Sequence, residues 1–179
     1  MTPNWDAVKP QPASSPDPET LVATLAAAMM VHITEDTALV GIHTGGVWLA
    51  ERLQTLLGLK TPLGTLDVTF YRDDFGTIGL HRDAKRSAIA FEVANRHIIL
   101  VDDVLYTGRT IRAAMNELFD YGRPASIRLA VLVDRDCREL PIAAQFIGTK
   151  FHVPDDEMLV LERNDAGTLT FKQQKKEPR

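Results

Sequence analysis

Apolar residues along this chain gather into short unbroken runs, and between the runs they recur at helical spacing. TALVGI (Thr37–Ile42), HIILVD (residues 97–102) and SIRLAVLVD (Ser126–Asp134) are continuous enough to be strands buried on both faces. LGTLDVTFY (residues 63–71) has the β-branched and aromatic content of a further strand. After TALVGI, the residues Leu49, Leu53, Leu56 and Leu57 share one helical face, and Gly58 stands where a C-terminal glycine belongs. After HIILVD, Ile111, Ala114, Met115, Leu118 and Phe119 fall at i, i+3, i+4, i+7 and i+8, ahead of a stop at Gly122-Arg123-Pro124. Upstream, Asp17-Pro18-Glu19 gives an N-cap, a first-turn proline and a first-turn acid before the Ala- and Leu-rich LVATLAAAMMV.

Alternation of apolar strands and amphipathic helices predicts an α/β fold: an open, mostly parallel twisted sheet with helices on both faces. FIG, EMLVLE and TLTFKQ in the C-terminal third predict short strands forming a small hood. Residues 72–95 are long, polar and weakly patterned, which predicts a functional loop or a flexible hairpin. With no internal repeat and no second core, the expected organisation is a Pro- and Ser-rich flexible tail over 1–16, one domain over 17–172, and a solvated tail over 173–179.

Composition changes this picture little. Hydrophobic residues make up 45% and charged residues 25%, as in ordinary globular proteins. No apolar run approaches the roughly 20 residues needed to span a bilayer, so no membrane role is expected. The N-terminus lacks the apolar segment of a secretory signal. Cys137 is the one cysteine, which excludes an internal disulfide and fits a reducing cytoplasm. A net charge of −4 gives no global attraction to DNA or RNA.

The informative stretch is VDDVLYTGRT. An apolar strand runs into adjacent carboxylates, Asp102 and Asp103, and after Val104, Leu105 and Tyr106 the turn Thr107, Gly108, Arg109, Thr110 opens a helix. Backbone N–H groups at a helix start, together with the helix dipole, favour an anion. Glycine allows close backbone approach and threonine hydroxyls add donors, so this half is a phosphate cradle. Two carboxylates would repel the phosphate itself. They fit a ligand that also carries hydroxyls needing acceptors, or a hydrated cation, and a phosphorylated ribose with Mg²⁺ meets both conditions. An isolated Asp-Asp pair is usually a solvated turn or a cap. The arrangement of strand, acids, spacer, turn and helix is far more restrictive.

VDDVLYTGRT resembles the phosphoribosyl pyrophosphate (PRPP) signature of type I phosphoribosyltransferases, and GIHTGG resembles that family's pyrophosphate loop. TLDVTFYRDD, VDDVLYTGRTIRAAMNELFDYGRPASIRLAVLVDR and RELPI resemble the PyrR group, which are uracil phosphoribosyltransferases and, in some bacteria, regulators of pyrimidine operon transcription. The resemblance covers roughly residues 20–160 in the expected order. It implies the type I phosphoribosyltransferase fold and the reaction of uracil with PRPP to give uridine monophosphate (UMP) and pyrophosphate. By resemblance, Asp102 and Asp103 would be catalytic, accept the ribose hydroxyls and hold Mg²⁺ through water. Thr107, Gly108, Arg109 and Thr110 would hold the 5′-phosphate. His43, Thr44, Gly45 and Gly46 would meet the pyrophosphate. Arg72 and Asp73, with Arg82, Lys85 and Arg86, would belong to a closing loop, and Arg135 would contact the nucleotide. The family also suggests homodimers or homotetramers.

Two departures stand out. Members commonly show Thr-Arg-Gly in the pyrophosphate loop, whereas this chain has Thr44-Gly45-Gly46, and Asp136-Cys137 replaces an expected Gly-His pair. HTGG alone is also an ordinary strand-to-helix turn. Arg135 alone suits a surface ion pair, and Lys85 and Arg86 a solvated charge cluster. Cys137 reads as an inert small residue, and His81 and His97 lack metal-ligand spacing. Two alternatives to the uracil enzyme follow. One is an RNA-binding regulator, disfavoured because residues 21–31 contain no Lys, Arg or His, which leaves Arg138 with Arg123 and Arg128. The other is a phosphoribosyltransferase or PRPP sensor for another base, since the PRPP motif is silent on base identity.

Overall fold

The computed structural model describes residues 15–68 and 87–176. Five parallel strands form the main sheet: β1 (Thr37–Ile42), β2 (Gly64–Leu66), β3 (His97–Leu105), β4 (Ser126–Asp134) and β5 (Phe146–Lys150), in the order β2-β1-β3-β4-β5. Helices α1 (Pro18–Met30) and α2 (Gly45–Leu57) cover one face and α3 (Arg109–Asp120) the other, so the expected open sheet with helices on both faces is what the chain forms. A small antiparallel pair, β6 (Glu157–Arg163) and β7 (Leu169–Lys175), completes it.

The continuous apolar strands split their side chains between the two faces by simple alternation. Leu39, Ile99 and Val101 face the layer containing α1 and α2, where Leu25, Met29, Leu49 and Leu53 are fully buried. Ala38, Val40, Ile98 and Leu100 face Ile111, Ala114 and Leu118 of α3. Each such buried leucine or isoleucine contributes about 1.5–3 kcal/mol relative to exposure. Because both faces are used, the central residues of these strands are apolar on both sides, which is why the runs lack polar alternation.

Local chemistry sets the ends of the helices. Asp17 caps α1, accepting from the backbone N–H of Thr20 at 3.0 Å and from its hydroxyl at 2.5 Å. The Thr20 hydroxyl, foremost, and then its N–H hold the Asp17 carboxyl below its ordinary value. Gly58 ends α2 at φ 65°, a left-handed conformation that costs glycine nothing.

Several boundaries differ from the sequence pattern. β2 stops at Leu66, and the rest of residues 63–71 lies partly outside the described residues. β3 runs three residues past Asp102, because its pairing with β4 continues to Leu105 opposite Asp134. Leu56 and Phe119 are more than half exposed, since the contact stripe on α2 is filled by Leu49, Leu53 and Leu57, and that on α3 by Ile111, Ala114 and Leu118. β7 takes in residues 173–175, expected as solvated tail, by pairing with β6. The apolar face of α1 is used within the chain: Val22, Leu25, Ala26 and Met29 pack into the core.

Candidate active site at the switch point of the sheet

In a sheet of order 2-1-3-4-5, the chain leaves β1 towards one edge and β3 towards the other, and the crevice between their carboxyl ends is where such folds bind ligands. The two glycine-bearing loops singled out by sequence flank this crevice. The pairing of β1 with β3 ends at Gly41 opposite Val101, so Asp102 and Asp103 lie where β3 projects past β1. Both carboxylates are buried, and Asp102 Oδ1 accepts from the Asp103 N–H at 3.0 Å.

The loop after β1 packs bare backbone against these acids. A Cβ at Gly45 would collide with the Asp103 carboxylate, and one at Gly46 with the Val101 carbonyl oxygen. The loop holds a cis peptide bond between His43 and Thr44, and the His43 N–H donates to the Leu66 carbonyl at 2.9 Å. Any side chain at position 45 would have to displace the Asp103 carboxylate. The glycine that departs from the family pattern is therefore matched to Asp103 lying against it.

The loop after β3 is held differently. Val104 and Tyr106 are half-buried, while Leu105, Thr107 and Gly108 are buried. Thr107 Oγ1 accepts from the Arg109 N–H at 3.2 Å, and Gly108, at φ 93°, opens α3, with Arg109 and Thr110 in its first turn. The Arg109 side chain turns outward to an exposed ion pair with Glu139 at 2.6 Å.

Residues 138–142 brace this loop from the β4 side. Arg138 donates to the carbonyls of Tyr106 at 2.7 Å, Leu105 at 3.4 Å and Ile142 at 3.0 Å, and pairs with Asp134 at 2.5 Å. The Thr107 carbonyl accepts from the N–H groups of Glu139 and Leu140 at 3.0 and 3.2 Å. A Cβ at Gly108 would press on Ile142 at 3.0 Å. Sequence offered Arg138 as an RNA contact. In the structure its guanidinium is engaged by backbone carbonyls and Asp134. No local pattern marks it, since its partners are up to 33 residues away.

Arg135 is not a surface ion pair either. It is 3% exposed, donates to the carbonyls of Val153 at 3.0 Å and Pro154 at 3.1 Å, and sits over the Tyr106 ring at 4.1 Å. Burial pushes its guanidinium below the ordinary arginine value, opposed by Tyr106, Cys137 and Asp155. Asp136 takes φ 57°, a conformation that suits the glycine expected there and that aspartate tolerates better than most residues. Sequence also missed Lys176, whose Nζ lies 3.4 Å from the Tyr106 hydroxyl and 4.7 Å from its ring. Arg72, Asp73, His81, Arg82, Lys85 and Arg86 lie outside the described residues.

Could the acids hold a cation? They offer only oxygen donors, and no group of three or more His, Cys, Asp or Glu side chains suited to a metal occurs among the described residues. One or two carboxylates beside substrate oxygens suit a hydrated Mg²⁺, which keeps most of its waters.

Comparison with known proteins places the chain in a family. The model of the phosphoribosyl transferase domain matches residues 5–157. A "Bifunctional protein PyrR" of Pseudomonas paraeruginosa is 51% identical over 152 residues, covering 83% of this chain and 89% of the relative. The protein of that name from Nitrosococcus oceani is 50% identical over 162 residues, covering 87% and 91%. Among solved structures, a hypoxanthine-guanine phosphoribosyltransferase of Bacillus anthracis aligns with TM-score 0.60 at 15% identity, covering 79% of this chain and 86% of that one. The enzyme of Leishmania tarentolae in complex with GMP aligns with TM-score 0.59 at 18% identity, covering 79% and 82%. At such identities these two speak for the fold alone. No helix among the described residues is long and apolar enough to cross a membrane.

Proposed function

The chain belongs to the phosphoribosyl transferase family and, within it, to the PyrR proteins, and from that premise we propose that it transfers the phosphoribosyl group of PRPP to uracil, giving UMP and pyrophosphate. One observation carries the reading: Asp102 and Asp103 are buried at the β1–β3 crevice, with a glycine loop packed on one side and a braced helix-opening turn on the other.

The roles follow from the chemistry of each position. Asp102 and Asp103 accept the ribose hydroxyls and stabilise the positive charge that grows on the sugar as its C1–O bond breaks, a preorganised electrostatic effect without proton transfer. The turn at Thr107, Gly108, Arg109 and Thr110 receives the 5′-phosphate with backbone donors and the threonine hydroxyls. His43, Thr44, Gly45 and Gly46 receive the pyrophosphate, and the resemblance adds Arg72 to the substrate-binding residues. Val104, Leu105, Tyr106 and Arg135 line the nucleotide. Asp102 and Asp103 would hold a hydrated Mg²⁺, which would supply charge neutralisation at the leaving group. The protein would work in the cytoplasm as a homodimer or homotetramer.

Steady-state formation of UMP from uracil, PRPP and Mg²⁺ tests this, with Asp103→Asn beside wild type. Wild type turns over and the variant loses on the order of 100-fold, about 2.7 kcal/mol of transition-state stabilisation. A wild type that binds PRPP yet makes no UMP sinks the uracil assignment and favours another base or a PRPP sensor.

A second reading comes with the word "bifunctional" in the relatives' name. By the resemblance drawn from sequence, the second function is RNA binding in control of pyrimidine operons. Two observations weigh against a strong RNA site: α1 carries no basic residue in its last turn, and Arg138 is spent inside the fold. A gel shift on leader RNA across a salt series decides it, since each phosphate contact adds to the salt slope.

A further inference from the structure

The proposed reaction displaces pyrophosphate from C1 of the ribose, and an in-line displacement brings the base in on the side opposite to the leaving group. The pyrophosphate loop lies against Asp103 from the β1 side of β3. The base therefore arrives from the β4 side, where Tyr106 and Arg135 stand at the strand ends. A third residue joins them from the end of the chain. The N–H of Lys176 donates to the Asp156 carbonyl at 2.7 Å, which fixes the residue that follows β7 beside the site. Its Nζ then lies 3.4 Å from the Tyr106 hydroxyl.

Two cations meet at this end of the site. Arg135 and Lys176 both approach the Tyr106 ring, at 4.1 and 4.7 Å. Neither cation has a carboxylate within salt-bridge distance among the described residues, and the buried Arg135 Nε–H has no hydrogen-bond partner among them. Of the acids that flank Arg135 in the chain, Asp134 is paired with Arg138 and Asp136 with Lys150, and Asp155 acts on Arg135 only from beyond salt-bridge distance. Such an end prefers a base that presents carbonyl oxygens and becomes an anion as it attacks.

We propose that Lys176 is a specificity-determining residue of this active site, selecting dioxo-pyrimidines by stabilising the ring-nitrogen anion formed at the Tyr106–Arg135 end. The proposal rests on the phosphoribosyltransferase reading above. In the step it assists, uracil loses its N1 proton to water, the N1 electron pair forms the bond to C1, and the C1–O bond breaks with its pair leaving on pyrophosphate. The cation lowers the cost of that N1 anion. Its help therefore matters most when the base is a weak acid, and least when the base ionises readily by itself.

The test compares kcat/KM for uracil and for the more acidic 5-fluorouracil in wild type, Lys176→Met and Lys176→Arg, at saturating PRPP and Mg²⁺. We expect Lys176→Met to lose about tenfold on uracil, the equivalent of one pKa unit, and less than about threefold on 5-fluorouracil. Lys176→Arg, which keeps a cation, recovers most of the uracil rate. Equal losses on the two bases would reduce Lys176 to a packing residue, and no loss on either would remove it from the site; both overturn the proposal. Failure of wild type on both bases is a separate result, which removes the uracil reading and this inference with it.

Discussion

The two loops at the β1–β3 crevice begin alike, each leaving a buried parallel strand and opening a helix, yet they are held by opposite means. The loop after β1 is fixed by what it lacks: Gly45 and Gly46 leave no side chain, so the backbone closes on Asp103 and on the Val101 carbonyl. The loop after β3 is fixed by what reaches it, the hydrogen bonds from Arg138, Glu139 and Leu140 and the contact of Ile142 with Gly108. Close approach is local and unforgiving, whereas a brace is distributed and can be weakened in steps. The difference suits the two proposed tasks. A departing pyrophosphate needs a loop set hard against the carboxylates, while a 5′-phosphate cradle needs donors kept at a fixed spacing.

The largest effects should come from filling the glycine loop, and they should differ between its two positions. Gly46→Ala meets backbone at Val101 and Asp102, which has no way to yield, so we expect about 3 kcal/mol of lost stability in a denaturant titration. Gly45→Ala meets only the Asp103 side chain. That variant should stay folded and lose about 100-fold in turnover, because a displacement of about 1 Å at a reacting centre has that cost. If both variants unfold equally, the idea that Gly45 serves the carboxylate and not the fold is wrong.

Loosening the brace comes next. Arg138→Met leaves the Tyr106 carbonyl without its charged donor and strands the buried Asp134 carboxylate. We expect about 2 kcal/mol of destabilisation. The KM for PRPP should rise about tenfold, with a smaller change for the base. Isothermal titration with PRPP and Mg²⁺ reads the same effect without turnover. Unchanged PRPP affinity would mean that the loop keeps its shape without Arg138.

Smallest is Arg109→Ala. Its side chain is exposed and paired with Glu139, an arrangement that contributes roughly 0–1 kcal/mol. The part of Arg109 that faces Thr107 Oγ1 is its backbone N–H, which alanine retains. Turnover within about threefold of wild type, equivalent to about 0.7 kcal/mol, would place the work of this turn in its backbone. A much larger loss would show that the guanidinium leaves Glu139 for the substrate.

Much of this molecule was legible from residue order. The apolar runs gave β1 and β4 with their observed bounds, since a strand covered on both faces carries a near-continuous apolar stretch. Asp17, Pro18 and Gly58 marked helix ends because capping is a matter of a few adjacent residues. VDDVLYTGRT announced a carboxylate pair beside an anion cradle because both functions sit on one strand and its following turn. The exposure of Leu56 and Phe119 was not legible, because helical spacing gives a face and only packing shows how wide a stripe the sheet can cover.

Sequence by itself therefore determined the layered α/β architecture, the main carboxylates and the glycine loops, all of which depend on neighbours in the chain. Tertiary structure alone decided that Gly45 lies against Asp103, that Arg138 braces the turn at Thr107, and that Lys176 reaches Tyr106 from the last hairpin. Those contacts join residues about 30 to 70 positions apart, and no periodicity or motif encodes them. They arise only when the parallel strands align their carboxyl ends and bring separate loops to one edge of the sheet.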